Sequence, residues 1–458
     1  MKKANGDPKR PRSRPAALAK VFVAGYKSFA GAAEIEIRPL TILAGANSSG
    51  KSSIMQPLLL MKQTLEAPYD PGGLKIDGPH VRLTDAEQMF WNVGTTDTAG
   101  HILVGFELED GLRVEQSLGR GMPGEVSVGP SSLTARPTDR PRFRLFGGMS
   151  QKEILAGIPE LGGHRLNREP LQWEVALRRG FLTVTEVGTQ TRPESPLWMI
   201  PGGDDLLTAI RSVIHLPGLR GNPERSYPVT AVGPAFPGPF EAYTASVLLH
   251  WQRQKEHDKL ATLIEQATRL GLATHIEPRQ QQTSSVEVRV SRIARPAKGG
   301  ATDLVNIADV GFGVSQTLPV LVALQAALPG QLVYIEQPEI HLHPRAQVAM
   351  AAVLAAAAKR GVRVVVETHS DRLLLGIQTL VATGELPPEL VKLHWFTQRS
   401  TDGATEVKSG DLDATGAFGD WPEDFADVDL GAQGAYLDAS DQRRRELSRA
   451  KKIPSARR

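Results

Sequence analysis

The sequence predicts an α/β fold with a mainly parallel sheet and a β-rich insertion, and three observations support that prediction. The apolar run 39–44 is followed at once by a glycine-rich loop and an apolar helix. Apolar helices and buried strands alternate again over 317–366. Between them, short segments of alternating polarity, separated by Gly, Pro and Arg, fill about 96–200. Strands that alternate with helices indicate a largely parallel sheet, because each parallel return needs a crossover connection.

The predicted elements follow from periodicity and from residues that break helices and strands. We expect Pro57 to kink the first helix and Gly361 to end the alanine-rich helix that starts at Pro344. The predicted strands cover 17–43 (two strands around a turn at 25–29), 101–108, 171–177, 181–186, 286–293, 331–335 and 362–366. The predicted helices cover 52–65, 242–270, 317–328 and 344–359.

Bulk composition narrows the class of protein. The chain has 458 residues, 41% hydrophobic and 22% charged, which is typical of a globular protein with two or three domains. No apolar run reaches the roughly eighteen residues of a membrane span, and no apolar segment follows the basic N-terminus as in a secretory signal. The absence of cysteine excludes disulfides and thiolate metal sites. We therefore expect a cytoplasmic protein that does not engage membranes.

Positive charge is concentrated at the two ends of the chain. Residues 1–20 hold seven Lys and Arg, and residues 441–458 hold eight. The segment between them keeps 38 basic and 47 acidic residues, a net charge of −9, although the whole chain carries +3. Such tails either bind nucleic acid and other anionic surfaces or keep a disordered end soluble, and the sequence favours neither.

Shifts in composition predict seven segments along the chain. They are a basic disordered tail (1–16), a first α/β lobe with the glycine-rich loop (17–95), a β-rich insertion (96–200), a helical and strand insertion (201–300), a second α/β lobe (301–400), a small C-terminal domain (401–440) and a second basic tail (441–458).

The run GANSSGKSS (45–53) has the spacing G-x-x-x-x-G-K-S of a phosphate-binding loop between a strand and a helix. Its glycines let backbone N–H groups turn towards a polyphosphate, and the following helix adds the positive end of its dipole. Lys51 supplies a charge for the β- and γ-phosphates, and Ser52 offers a hydroxyl to Mg²⁺. The expected nucleoside triphosphate contacts are Gly45, Asn47, Ser48, Ser49, Gly50, Lys51, Ser52 and Ser53.

A second motif ends a buried strand. Four apolar residues precede Glu336 in the run that continues as IEQPEIHLHP (335–344), which is the form of a Walker B strand. The acid would lie at the carboxyl edge of the sheet, where it can hold the water shell of Mg²⁺ beside Ser52. The run VVVETHSDRLL (364–374) then puts His369 at the end of the next strand, where it can donate to a γ-phosphate or its attacking water.

Two glycines lie between these motifs. Gly311 and Gly313, in DVGFGVSQTLP (309–319), precede a helix whose N-terminus could present N–H groups to a phosphate. Taken alone, two glycines before a helix usually mark a turn, so their order relative to the other motifs carries the prediction.

In this order the motifs resemble those of ATP-binding-cassette (ABC) ATPases of the SMC, RecF and OLD type. In more detail, the chain is similar to bacterial AAA-family ATPases that carry IEQPEIHLHP and a short C-terminal domain of unknown function. The matching segments are YKSF (26–29), PLTILAGANSSGKSSIMQPLLL (39–60), LRGNPERSY (219–227), GFGVSQTLP (311–319), IEQPEIHLHP (335–344), ETHSD (367–371) and GDWPEDF (419–425). The resemblance covers about 18–430 and implies a P-loop, ABC-ATPase-like head.

The resemblance also implies a mode of action. ATP and Mg²⁺ would lie between two protomers, with the phosphate loop, Glu336 and His369 of one chain facing the glycine-rich segment of the other. ATP binding would close a homodimer and hydrolysis would open it, switching a nucleic-acid-related activity or an effector protein, as in DNA repair and phage defence. Gln88 is a candidate for a glutamine that senses Mg²⁺. The residues that would face the partner's ATP are Gly311, Gly313, Ser315 and Gln316.

One dipeptide departs from general ABC ATPases, which have Asp-Glu where this chain has Glu336-Gln337. Glu336 keeps a carboxylate for Mg²⁺, but Gln337 has none to accept a proton from water. Gln337 can still orient a water, and Glu339 is an alternative base. We therefore expect ATP binding with slow hydrolysis, and the candidate catalytic residues are Glu336, Gln337, Glu339 and His369.

Two further segments have open interpretations. Arg220 and Arg225, in LPGLRGNPERSY (216–227), could contact phosphates or a partner, but we favour a surface loop with ordinary ion pairs. Trp421, in GDWPEDF, could dock on a partner, although docking on the protein's own core is the commoner fate of such a side chain.

Other functions fit parts of the sequence. An ATP-sensing interaction platform with negligible hydrolysis would use the same loop, and a turnover measurement distinguishes it from an ATPase. An OLD-like nuclease would need a metal-binding Toprim domain, and fewer than ninety residues follow His369. An ABC transporter subunit is disfavoured because LSGGQ is absent. The D-x-D pairs that a nuclease could use are Asp411 with Asp413 and Asp427 with Asp429.

Overall fold

The computed structural model describes residues 16–93, 97–98, 100–122, 125–134, 143–163, 165–166, 169–187, 203–291 and 303–419. The C-terminal basic tail, all but the last residue of the N-terminal one, Trp421, Asp427 and Asp429 lie outside the described residues. The strands are β1 Leu18–Ala24, β2 Ala33–Glu36, β3 Leu40–Gly45, β4 Asn92–Val93, β5 Asp97–Thr98, β6 His101–Leu108, β7 Arg113–Arg120, β8 Val126–Thr134, β9 Phe143–Leu145, β10 Arg165–Leu166, β11 Glu169–Pro170, β12 Trp173–Arg178, β13 Phe181–Glu186, β14 Ile214–Leu216, β15 Tyr227–Pro228, β16 Ile276–Gln282, β17 Ser285–Ser291, β18 Leu304–Asn306, β19 Leu332–Glu336, β20 Arg363–Thr368, β21 Val391–Gln398 and β22 Thr405–Gly410. The α-helices are α1 Lys51–Leu65, α2 Gln151–Gly157, α3 Gly203–Ser212, α4 Thr244–Arg253, α5 His257–Arg269, α6 Phe312–Ala326, α7 Pro344–Lys359 and α8 Asp371–Ala382.

The main sheet has six strands in the order β14-β19-β20-β3-β21-β22. The first five strands are parallel, and β22 pairs antiparallel with β21. All of β3 is buried, because helices cover both faces of a parallel sheet. The mainly parallel α/β sheet predicted from the sequence is therefore confirmed.

Two hydrophobic cores lie on opposite faces of the main sheet. Ile42 and Val364 belong to a core formed with α4 to α8, whereas Leu43 and Val365 belong to a core formed with α1, α3 and a second sheet. Side chains alternate between faces along a strand, so neighbouring residues of β3 and β20 enter different cores. The phosphate loop, at the end of β3, is thus anchored by both cores.

The second sheet is antiparallel, in the order β2-β1-β6-β7-β8-β9. Strands β6 to β9 come from the predicted β-rich insertion, yet they extend the pair formed by β1 and β2. A third, smaller core lies beneath β12 and β13 against α2 and contains Trp173 and Ile154. The described part of 96–200 is rich in strands, as predicted, but β6 to β9 share a sheet with the N-terminal strands.

Several predicted elements have different bounds in the structure. The segment 17–43 contributes three strands rather than two, because β2 folds back onto β1. The predicted helix 242–270 is two helices, α4 and α5, separated where Lys255 adopts a φ of 57°. Helix α6 begins at Phe312, earlier than predicted, whereas α7 has the predicted bounds. Strand β22 joins the main sheet, although it lies in the predicted C-terminal domain.

Candidate functional site

The phosphate-binding loop joins β3 to α1 at the carboxyl edge of the main sheet. Lys51 is buried, and its Nζ donates hydrogen bonds to the carbonyl oxygens of Gly45 (3.1 Å) and Ala46 (2.6 Å). Burial lowers the pKa of Lys51, while the carboxylates of Glu367 and Glu339 act in the opposite direction. The side chain of the predicted lysine therefore folds back onto the start of the loop, at Gly45 and Ala46.

Two glycines of the loop leave no room for a side chain. Gly45 has a φ of 144°, and a Cβ there would lie 2.2 Å from the carbonyl oxygen of Phe396. Gly50 has a φ of 97°, and its Cβ would lie 2.4 Å from Thr405 Oγ1. Both φ values favour glycine as well. Strands β21 and β22 thus support the loop from behind, and Thr405 Oγ1 also donates to the carbonyl oxygen of Ser49 (2.9 Å).

Ser52 contacts an acid on a neighbouring strand. Its Oγ lies 2.9 and 2.8 Å from the two carboxylate oxygens of Glu367 in β20. The hydroxyl of Tyr334 donates to the same carboxylate at 3.0 Å. Burial raises the pKa of Glu367, and the hydrogen bond from Ser52 opposes that shift. The carboxylate that contacts Ser52 is thus Glu367, whereas the sequence predicts Glu336 at this place.

Glu336 ends β19, as predicted, but has different partners. His215 Nε2 lies 3.1 Å from its Oε1, and the N–H of Gly218 donates to its Oε2 at 3.0 Å. Burial alone would raise the pKa of Glu336, but these hydrogen bonds and the charge of Arg220 bring it below its usual value. Glu336 is therefore an ionised carboxylate held by His215 of β14 and by the backbone of Gly218, which follows that strand.

His215 belongs to a chain of buried polar side chains. Its Nδ1 lies 2.9 Å from Nδ1 of His80, whose Nε2 lies 3.3 Å from Glu66, and Glu66 in turn pairs with Lys62. Burial lowers the pKa of His80 to about 4, so this ring is neutral at pH 7. The chain connects Glu336 at the sheet edge to the last turns of α1.

His369 follows β20, as predicted. Its backbone N–H donates to Glu339 Oε1 at 3.0 Å, and the same oxygen accepts from Thr368 Oγ1 at 2.6 Å. Burial, and then the charge of Lys51, lowers the pKa of His369, whereas burial raises the pKa of Glu339. Glu339 therefore holds the backbone that carries the histidine.

Three of the predicted catalytic residues share one open cleft. Gln337, Glu339 and His369 line a cavity of about 450 Å³. Gln337 has a φ of 45°, which is unusual for a residue with a side chain, and its N–H donates to the carbonyl oxygen of Glu367 (2.8 Å). Such strain is often found where function constrains the backbone. The fourth predicted residue, Glu336, lies directly before Gln337.

The glycine-rich segment begins α6. Gly311 is the N-cap and Phe312 is 53% exposed, so the backbone there faces outward. Ser315 and Gln316 are buried: Ser315 Oγ donates to the carbonyl oxygen of Phe312 (3.2 Å), and Gln316 Nε2 donates to a carbonyl of the preceding loop (3.0 Å). The part of this segment that can face another molecule is therefore its first turn, from Gly311 to Gly313.

Arg220 does not lie on a surface loop, so that expectation is wrong. It is 4% exposed, and its guanidinium donates to the carbonyl oxygens of Gln316 (3.2 Å) and Glu336 (2.6 Å). Burial lowers its pKa to about 10, which leaves it charged at pH 7. Arg225 is exposed and pairs with Asp309 at 2.6 Å, as predicted. Arg220 thus ties the start of α6 to the end of β19.

The hydrogen bonds and ion pairs of the remaining candidates are made with residues outside the phosphate loop. Gln88 bonds within its own turn, where its Nε2 donates to Thr84 Oγ1 (2.8 Å), and its Mg²⁺ role stays a prediction. Asp411 pairs with Arg38 and Lys392, both at 2.9 Å. Within the described ranges, no three His, Asp or Glu side chains are grouped to hold a metal ion. Nor does any helix in those ranges have the length and apolar character to cross a membrane.

Comparison with known families agrees with this geometry. Residues 236–375 match the family described as "AAA domain, putative AbiEii toxin, Type IV TA system". The matched segment contains Glu336, His369 and the start of α6, so the AAA-type resemblance predicted from the motifs is confirmed there. No curated protein sequence matches the chain.

Three solved structures resemble the chain in fold. An SMC head bound to the C-terminal winged-helix domain of ScpA is 13% identical, with 87% of this chain and 98% of that chain covered and a TM-score of 0.46. The SMC head domain from Thermotoga maritima is 13% identical, with 86% and 98% covered and a TM-score of 0.40. An Smc head with an extended coiled coil, bound to the C-terminal domain of ScpA from Pyrococcus furiosus, is 14% identical, with 86% and 96% covered and a TM-score of 0.44. At such identities the likeness extends to no activity and no partner.

Sequence reasoning misses two residues of this site. Glu367 lies in ETHSD, and an acid two residues before a strand-end histidine is the signal that could have identified it. His215 has no comparable signal, because it is a lone histidine in the short apolar strand β14.

Proposed function

We propose that this chain is an ABC- and SMC-like ATPase that binds ATP and hydrolyses it slowly, and that ATP-dependent homodimerisation switches a nucleic-acid-related or anti-phage activity. The phosphate loop carries this proposal: the buried Lys51 donates to two of its carbonyl oxygens, and Ser52 lies against a carboxylate at the same sheet edge. The AAA-domain match over 236–375 supports it independently.

The loop residues fit a bound triphosphate and Mg²⁺. Loop N–H groups and the N-terminus of α1 would hold the phosphates, and Lys51 would exchange its carbonyl partners for the β- and γ-phosphate oxygens. Ser52, Glu336 and Glu367 offer the hard oxygen donors that Mg²⁺ prefers. When bound, this ion neutralises charge that develops on the phosphates.

The cleft beside the loop supports slow hydrolysis. His369 has a lowered pKa, so the neutral ring can donate one hydrogen bond to a γ-phosphate or its attacking water. Gln337 can orient that water but cannot take its proton. Glu339 Oε1 is already engaged by Thr368 and by the His369 backbone, which leaves only its Oε2, an oxygen without a hydrogen-bond partner among the described residues, to accept a proton from water. The alternative is an ATP-sensing platform with negligible hydrolysis, and it differs from this proposal only in the rate of ATP hydrolysis.

Exposed apolar side chains beside the site support the homodimer. Leu219 is 90% exposed and Phe312 at the start of α6 is also largely exposed. They belong to the two segments that Arg220 joins through its bond to Gln316. Large apolar residues exposed next to a site favour an interface with another protein surface.

The family description bears on the proposed output. It includes the words "putative AbiEii toxin, Type IV TA system", which support a role as an effector or as the regulator of one. The basic tails offer charge for nucleic acid, so DNA is the first ligand to add to the assay.

Nucleotide binding is the first test. We expect Lys51→Ala to weaken binding of a fluorescent ATP analogue by at least about tenfold, because a buried charge–phosphate contact is lost. Lys408→Ala removes an exposed lysine of β22 and is the matched control, with unchanged affinity expected. Equal affinities in wild type and Lys51→Ala would overturn the assignment of the loop.

Phosphate release, with and without DNA, tests hydrolysis. We expect slow turnover in wild type, none in Lys51→Ala and a faster rate in Gln337→Glu, because that variant restores a carboxylate next to Glu336. Tight ATP binding with no turnover in wild type would favour the sensing platform. Light scattering with and without ATP tests the dimer, and a monomer under both conditions would contradict the switch.

A further inference from the structure

We propose that Glu367, and not Glu336, is the positioning carboxylate that orients the Ser52 hydroxyl for Mg²⁺ beside the phosphate loop. This inference rests on the proposed function, because it concerns how the nucleotide's metal ion is held. The Walker B pattern assigns the role to the acid at the end of β19. The geometry assigns it to an acid on the neighbouring strand.

Strand order is the first reason. The phosphate-loop strand β3 has β20 as its direct neighbour, and β19 lies one strand further away. In register, Glu367 lies opposite Leu43, two residues before the loop begins at Gly45. Glu367 thus lies on the strand directly beside β3, within hydrogen-bond distance of Ser52.

The hydrogen bonds of the two acids are the second reason. Both oxygens of Glu367 lie within 2.9 Å of Ser52 Oγ, and Tyr334 donates to one of them. Both oxygens of Glu336 are bound elsewhere, to His215 and to the backbone N–H of Gly218. Glu336 is therefore held towards β14, while Glu367 is held towards the loop.

The charge of the site is the third reason. Glu336 and Glu367 are register partners on adjacent parallel strands, so two acids stand side by side at the sheet edge, and Glu367 is buried. Lys51 is a cation whose charge acts on Glu367. If Lys51 turned to the phosphates of a bound nucleotide, a divalent ion would supply the positive charge beside these two carboxylates.

The test separates metal binding from nucleotide binding. Affinity for Mn²⁺ is measured by electron paramagnetic resonance with a non-hydrolysable ATP analogue present, and affinity for the analogue alone is measured in EDTA. We expect Glu367→Gln to weaken Mn²⁺ binding by about 10–100-fold. In EDTA the same variant should bind the analogue at least as tightly as wild type, because a negative charge near the phosphates is removed. If Glu367 only maintained the structure of the site, Glu367→Gln would weaken binding of both Mn²⁺ and the analogue.

Two variants serve as controls. Tyr334→Phe removes a hydrogen bond to Glu367 and keeps both carboxylates, so its Mn²⁺ affinity should fall less than about tenfold. Glu336→Gln should lose less Mn²⁺ affinity than Glu367→Gln. A larger loss in Glu336→Gln, or equal Mn²⁺ affinities in wild type and Glu367→Gln, would overturn this inference alone. A wild type that binds no nucleotide would overturn the proposed function and this inference together.

Discussion

Lowering the pH from 7 to 5 should destabilise the protein through His394, a buried residue of β21. Its ring is 1% exposed and lies in the strand next to β3, where His394 is opposite Leu43. Nε2 donates to the carbonyl oxygen of Glu36 (2.8 Å), and Nδ1 accepts from Ser409 Oγ (2.7 Å). Both nitrogens are therefore satisfied in the neutral ring, and a second proton would bury a charge.

The size of the effect follows from the shifted pKa. Burial lowers the pKa of His394 to about 4, and the hydrogen bond to Glu36 offsets this only in part. In the unfolded chain the pKa of histidine is about 6.5, so the unfolded state takes up the proton first as the pH falls. The contribution of the neutral His394 to the free energy of unfolding is therefore fully present above about pH 6.5. It is lost as the pH falls from about 6.5 to about 4. Proton linkage lowers the free energy of unfolding by about 2 kcal/mol at pH 5 and by about 3 kcal/mol below pH 4.

Urea unfolding at pH 7 and pH 5 measures this loss, with His394→Gln as the comparison. The glutamine side chain can keep a donor for Glu36 and an acceptor for Ser409, but it does not titrate. Between the two pH values, the free energy of unfolding should fall by about 2 kcal/mol more in the wild type than in the variant. Other groups, such as His80, contribute equally to both proteins and cancel. An equal pH dependence in the two proteins would refute the argument.

Three further predictions concern packing and capping. Gly376→Ala should cost about 1–3 kcal/mol of unfolding free energy, since its Cβ would lie 2.7 Å from the carbonyl oxygen of Val348 where α8 contacts α7. Gly31→Ala, with no atom within 4 Å of its Cβ, should change it by less than about 0.5 kcal/mol, and similar effects in denaturant unfolding would contradict the packing argument. Arg220→Met should lower the free energy of unfolding by about 3 kcal/mol in the same measurement, because the carbonyls of Gln316 and Glu336 lose a hydrogen bond from a buried guanidinium, and Arg220→Lys should lose less; a neutral Arg220→Met would show that those bonds contribute nothing. Ser370→Ala removes the N-cap of α8, whose Oγ accepts from the N–H of Leu373 (3.1 Å), and thermal unfolding should report a loss of about 1 kcal/mol that Ser370→Thr largely avoids.

Features that depend on a few neighbouring residues can be predicted from the sequence. The loop 45–53 follows from glycine spacing, because positive φ values at Gly45 and Gly50 are a local requirement. The bounds of α7 follow from Pro344 in its first turn and from Gly361, whose φ of 85° ends it. Apolar runs mark buried strands, so the sequence also predicts that Glu336 and His369 lie at strand ends.

Which distant segments meet depends on the packing of the whole chain. No local pattern states that β20 lies between β3 and β19, yet that order brings Glu367 to Ser52, 315 positions apart in sequence. The Gly and Pro residues around Arg220 predict a surface loop. Arg220 becomes buried only because α6 packs beside β19. Strands β6 to β9 likewise join β1 because an exposed sheet edge accepts any strand of matching register. Strands and helices pack together according to how well their apolar surfaces fit in the whole core. Short-range periodicity does not encode that fit.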